Sequence, residues 1–222
     1  AGGTWRYNEG AADFDNSNVQ FAVLALGVGA KRGVAIDRDV WEGIVRHFAE
    51  GQQKDGAPTD AATEEDRSPR GRTAVADSSP TRQRGWDYQS GGGSNWNMTC
   101  AGVSSLLLAR DALGDRIDPG LGVRLNAAIR DGNGWLMGNW RPSGSYYGMY
   151  SLEKVADIGG IRTFSGRDWY REISTHLVKS QQADGAWRNG NGPGENDDRV
   201  TTSFALLVLA RASRLVNQVI YT

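Results

Sequence analysis

The chain has 222 residues, is 39% hydrophobic and carries 25 Lys and Arg against 26 Asp and Glu, a net charge of -1. So even a balance gives no long-range field to recruit nucleic acid or an anionic membrane, and the longest apolar stretch, Phe21 to Ala30, is about half of the roughly 20 residues a membrane span needs. The single Cys100 excludes an internal disulfide framework and leaves the compartment open, while eight Trp and thirty Gly make internal repeats the first thing to seek.

In chain order, Gly3-Thr4-Trp5-Arg6-Tyr7 resembles the later Gly85-Trp86-Asp87-Tyr88 and reads as the tail of a repeat whose helix lies upstream. Asp13-Phe14-Asp15-Asn16 then opens an apolar helix running through Leu26, and Asp39 to Gly51 has the spacing of an amphipathic helix that leads into Gln52-x-x-x-Gly56. Residues 57–84 hold Pro, Ser, Thr, Asp, Glu and Arg with almost nothing apolar. That composition predicts an inserted polar loop, exposed, after which the interrupted motif resumes at Trp86. Asn97 to Ala109 is a second apolar helix, Gly120 to Asp131 an outer one, and Tyr146 to Ala156 a third apolar one. Asp168 to Ser180 copies the Asp39 helix and ends in Gln181-x-x-x-Gly185-x-Trp187, with Gly185 placed to close it in a left-handed conformation. A polar turn over 188–198 precedes Thr201 to Ala212, apolar nearly all round and so predicted to be enclosed by other helices. About seven helices alternate inner with outer, and no run of alternating residues predicts a strand.

Gln181-x-x-x-Gly185-x-Trp187, its interrupted copy Gln52, Gly56 and Trp86, and the inner-helix segments resemble the terpenoid cyclase and protein prenyltransferase superfamily, squalene/hopene cyclases above all, over nearly the whole chain outside the insertion. The resemblance implies an all-α fold, an α/α-toroid built of αα-hairpin repeats, with residues 1–222 as one toroid domain. Seven helices are fewer than a closed ring of the family uses. The expectation is therefore a partial ring, the C-terminal piece of a longer protein, with an exposed array end through which a homodimer forms. In the family the glutamine amide braces helix ends and the tryptophan stacks on it, a structural role.

The resemblance also points to chemistry. Asp13-Phe14-Asp15-Asn16 is similar to the Asp-x-Asp-Asp motif with which cyclases protonate an alkene, placing Asp15 as the acid and Asp13 as its partner. Asn16 stands where the last aspartate belongs, which removes a carboxylate from a site that must poise one proton. The plainer reading of Asp15, Asn16 and Ser17 is helix capping, worth about 1 kcal/mol. Phe21, Trp96, Tyr146, Tyr147, Tyr150 and Phe204 lie on or beside inner helices, as aromatic faces for a carbocation or as ordinary core. The zinc set of the prenyltransferases is missing: no aspartate stands two residues before Cys100, and His47 and His176 fall on outer helices. Glu195-Asn196-Asp197-Asp198 reads as a turn and cap rather than a metal site. No metal or cofactor is expected. Two functions follow: a non-catalytic binding or scaffold domain whose concave face takes a protein or an apolar, isoprenoid-like ligand, or a protonation-initiated cyclase using Asp15.

Overall fold

Short polar side chains begin almost every helix of the computed structural model, which describes residues 4–7, 14–60, 63–65, 80–89 and 91–211. The helices are α1 (Asn16–Lys31), α2 (Arg38–Gly51), α3 (Trp96–Leu113), α4 (Pro119–Gly138), α5 (Tyr146–Gly159), α6 (Trp169–Ser180) and α7 (Asp198–Ala210). Asp15, Asn95, Asp118, Ser145, Asp168 and Asp197 each accept a first-turn backbone N–H at the start of α1, α3, α4, α5, α6 and α7. The architecture is mostly helical, and no described helix is long and apolar enough to cross a membrane.

The described residues form two compact units. In the first, α3 is the centre and packs against α1, α2 and α4. Its segment from Met98 to Ala109 is buried on every side, which is why the sequence there is apolar all round. Gly102 of α3 and Gly132 of α4 let the Trp86 indole lie against both helices, since a Cβ at either would fall 2.7 Å from the ring.

The ends of the insertion belong to this unit and are not a loose loop. Thr59 N–H donates to the Thr81 carbonyl at 2.9 Å and Gln83 N–H to the Ala57 carbonyl at 2.8 Å, so the two legs run antiparallel. They seat on α4 at Gly134, where a Cβ would come within 2.9 Å of the Arg82 carbonyl oxygen. Buried Asp131 fixes them: it accepts from Arg82 N–H at 3.1 Å and from the Arg84 guanidinium at 2.7 Å. The polar composition of 57–84 is explained at these ends by ionic anchoring rather than by solvation.

The second unit packs α5 against α7, and both α5 and α6 against a strand the sequence does not predict. That strand, β2 (Ile161–Phe164), pairs antiparallel with β1 (Thr63–Glu65), which lies inside the insertion; Thr63 stands opposite Phe164. After β2, Ser165 and Gly166 both take positive φ, 49° and 76°, so Phe164 and Arg167 can exchange backbone hydrogen bonds across a two-residue turn. The strand escapes a search for alternation because it is four residues long and buries only its ends, Ile161 and Phe164.

Burial of the first and last apolar helices also departs from expectation. α7 leaves Leu206 55% and Leu207 39% exposed, and α1 leaves Phe21 and Val28 each 45% exposed. Among the described residues α7 packs chiefly on α5 and α6, so one side of a helix apolar all round stays uncovered.

Candidate functional site

Asp15 ends an extended segment at φ -137°, and its carboxylate turns back over the first turn of α1. Oδ1 accepts from Asn18 N–H at 2.9 Å and from Ser17 Oγ at 2.5 Å, while Oδ2 accepts from Asn18 Nδ2 at 2.6 Å. Burial alone would raise this carboxyl; the donors Ser17, Asn18 and Tyr88 outweigh it and hold the group below the ordinary carboxylate range. Near neutral pH it is therefore an ionised cap with its acceptors engaged, the reverse of an acid poised to give up a proton. Its expected partner Asp13 lies outside the described residues.

Asn16, the departure from the acid motif, has a part of its own. Its Nδ2 donates to the Asp87 carbonyl at 2.8 Å and its Oδ1 lies 2.8 Å from His47 Nε2. His47 thus reaches from outer helix α2 to the start of α1, between the Phe14 and Phe48 rings at 4.5 and 4.9 Å. Burial pushes it down to about 4, against the opposing pull of Glu50, so the imidazole is neutral. Nothing in the spacing of the two residues signals this bridge.

The aromatic residues divide between the units. Phe21 and Trp96 belong to the first, and Phe21 is 45% exposed. In the second, Phe204 meets Tyr147 at 5.7 Å and Tyr150 at 5.3 Å, while Tyr146 is buried and donates its hydroxyl to the Arg188 carbonyl. Lys154 lies over the Tyr150 ring at 4.3 Å and is 2.7 Å from Glu153, which burial pushes up to about 7. Among the described residues this carboxyl is the one most altered toward holding a proton, but it is wholly buried and bonded to a cation.

The two Gln/Trp sites share one geometry. Trp86 Nε1 donates to the Phe48 carbonyl and Trp187 Nε1 to the Leu177 carbonyl, both at 2.8 Å and both four residues before the glutamine. Gln52 Nε2 donates to the Arg84 carbonyl and Gln181 Nε2 to the Gly185 carbonyl, both at 2.9 Å and both two residues before the tryptophan. Gln53 N–H meets the Gly85 carbonyl just as Gln182 N–H meets that of Ala186. Each indole therefore adds a further hydrogen bond to a carbonyl in the last turn of an outer helix, one that the C-cap glutamine N–H already reaches at 3.1 Å. Two expectations need correcting. The carbonyl position of Gly185 is taken in the first copy by Arg84, so Gly56 has no place in the clamp and lacks the positive φ of Gly185, 87°. Gly185 itself sits in the turn after α6, whose C-cap is Gln181.

Glu195, expected in a solvated turn, is 1% exposed and accepts from Tyr147 N–H at 2.8 Å and Gly192 N–H at 2.9 Å, closing the 188–198 loop onto the start of α5. Asp197 and Asp198 pair with Arg199 and Arg188. Cys100 is fully buried, and burial pushes its thiol up, which makes it unreactive. Among the described residues no group of three or more His, Cys, Asp or Glu is placed to hold a metal ion.

No family model, no curated protein and no solved structure matches this chain.

Proposed function

We propose that the chain is a non-catalytic helical-repeat domain of the squalene/hopene cyclase-like type, an arc of α/α-toroid whose inner-helix faces bind a protein partner. The observation that carries this reading is the engagement of Asp15: a carboxylate saturated by local donors and held ionised caps α1 and has no proton to deliver. The repeated Gln/Trp clamp supports the repeat architecture, because the same three hydrogen bonds recur after outer helices α2 and α6. The partly exposed apolar faces support binding. Phe21, Ala25 and Val28 on α1 and Leu206, Leu207 and Ala210 on α7 follow helical spacing and are exposed, the pattern that receives an apolar partner helix.

The test joins turnover to binding. Incubation with squalene and shorter polyprenyl substrates is expected to give no cyclised product, and Phe21→Asp with Leu206→Asp is expected to abolish association with whatever protein, including a second copy, the wild type retains in crosslinking. A cyclised product that disappears in Asp15→Asn would establish the cyclase reading instead. Saturable uptake of a polyprenyl chain without turnover would replace the protein partner by an apolar ligand.

A further inference from the structure

The surface between α4 and the base of the insertion carries a charge pattern that neither the clamps nor the apolar faces explain. An open cleft of about 460 Å³ is lined there by Lys54, Arg82, Arg84, Arg124 and Arg130, with Asp55 and Asp131 the carboxylates, and Val123, Ala127 and Pro80 the apolar part. Five cations thus face two carboxylates on a chain whose net charge is -1.

Among the described residues, ion pairs compensate only part of this charge. Arg84 and Arg130 share one carboxylate, buried Asp131, at 2.7 and 3.0 Å. Arg124 meets exposed Glu50 at 3.2 Å. The Arg82 guanidinium donates to a neutral acceptor, the Gly56 carbonyl, at 3.2 Å, and Lys54 makes no ion pair among the described residues. Among the described residues, Lys54 and Arg82 are therefore the lining cations that no carboxylate meets. Asp131 also fixes two guanidinium planes at the cleft while α4 and the legs of the insertion hold the backbone, so the donors are oriented before any ligand arrives.

We propose that this cleft binds a small phosphorylated anion of two or more negative charges. Four of the five cations are arginines, whose planar forks match the oxygens of a phosphate group. The volume falls in the range of small-ligand sites, and the described lining residues include no aromatic ring on which a nucleobase stacks. The ligand class is thus a compact phosphate ester or diphosphate rather than a nucleotide.

Inorganic diphosphate is the probe, titrated into the full chain by calorimetry and by amide NMR, with citrate as a carboxylate of comparable charge. Saturable binding is expected below about 10 mM, weakening with salt, with shifts confined to Lys54, residues 80–84 and α4. The double variant Lys54→Gln with Arg82→Gln removes the two cations without a carboxylate partner and is expected to weaken binding at least about tenfold with an unchanged melting temperature. If that variant melts early, Arg124→Gln, on the exposed face of α4, serves in its place. Absence of saturation at about 10 mM, affinity untouched by these variants, or citrate bound as tightly as diphosphate would each overturn the proposal.

Discussion

A histidine held neutral in the first unit makes its stability depend on pH with a definite sign. His47 takes its proton near 6.5 in an unfolded chain but only at about 4 in the folded one, because burial between Phe14 and Phe48 disfavours the charged ring. The unfolded chain binds the proton first as pH falls, so stability is whole above about 6.5, declines through the interval and levels off below about 4. At about 1.4 kcal/mol per pH unit the full loss is roughly 3 kcal/mol, of which about 2 kcal/mol has gone by pH 5. Asp15, lowered by its donors, adds loss of the same sign below its ordinary carboxylate range. The assay is urea unfolding of the wild type and of His47→Gln at about pH 7.5 and pH 5, paired with NMR titration of the His47 ring. The wild type is expected to lose about 2 kcal/mol more than the variant between the two, a difference from which groups common to both cancel. A folded-state His47 that titrates near 6.5, or equal losses in the two proteins, would refute the reasoning.

The two clamps differ in burial, and their variants should differ accordingly. Gln52 is 5% exposed and donates to two carbonyls, those of Arg84 and Ala128, so Gln52→Ala is expected to cost about 2–3 kcal/mol in chemical unfolding; Gln181, exposed with one acceptor, should cost about 0.5–1 kcal/mol. Equal effects would mean that the motif acts through chain propensity and not through these bonds. At the seat of Trp86, Gly132→Ala puts a methyl 2.6 Å from Val103 and 2.7 Å from the indole, and overpacking of about 1–3 kcal/mol is expected by calorimetry; a stabilised variant would show the indole free to move.

What the sequence makes legible here is whatever repeats at helical spacing. Each predicted helix is present, and the Gln/Trp copies form matching hydrogen bonds because both partners lie within seven residues of each other at 181–187. In the first copy the chain between them is interrupted, and the eye takes the nearest glycine, Gly56, where the structure uses the carbonyl of Arg84, an atom every residue type possesses. Backbone acceptors carry no side-chain signature. Long-range polar pairings are hidden for a related reason: His47 with Asn16, Asp131 with Arg82 and Arg84, and Glu195 with Tyr147 span 31 to 49 positions, and only the packed helices determine that they meet.

The insertion shows why composition alone misjudges a polar segment. Residues 57–84 lack the apolar surface that offsets ordering entropy, which predicts an excursion into solvent. At its described ends the missing burial is replaced by three things the composition conceals: an antiparallel pairing of the two legs, a glycine in α4 that lets the backbone approach, and a buried aspartate that binds one arginine backbone N–H and one guanidinium. The Arg84 guanidinium, which looks like solvated charge in the sequence, therefore anchors the segment, while the Arg82 guanidinium meets no carboxylate among the described residues and adds positive charge to the neighbouring cleft. Stability and the proposed anion site are coupled there. Asp131→Asn is expected to loosen the legs of the insertion and disturb diphosphate binding together, whereas Lys54→Gln with Arg82→Gln should disturb binding alone. If hydrogen exchange of residues 80–84 were unchanged in Asp131→Asn, anchoring would have to come from the leg pairing and the glycine seat, and the ionic part of the argument would fall.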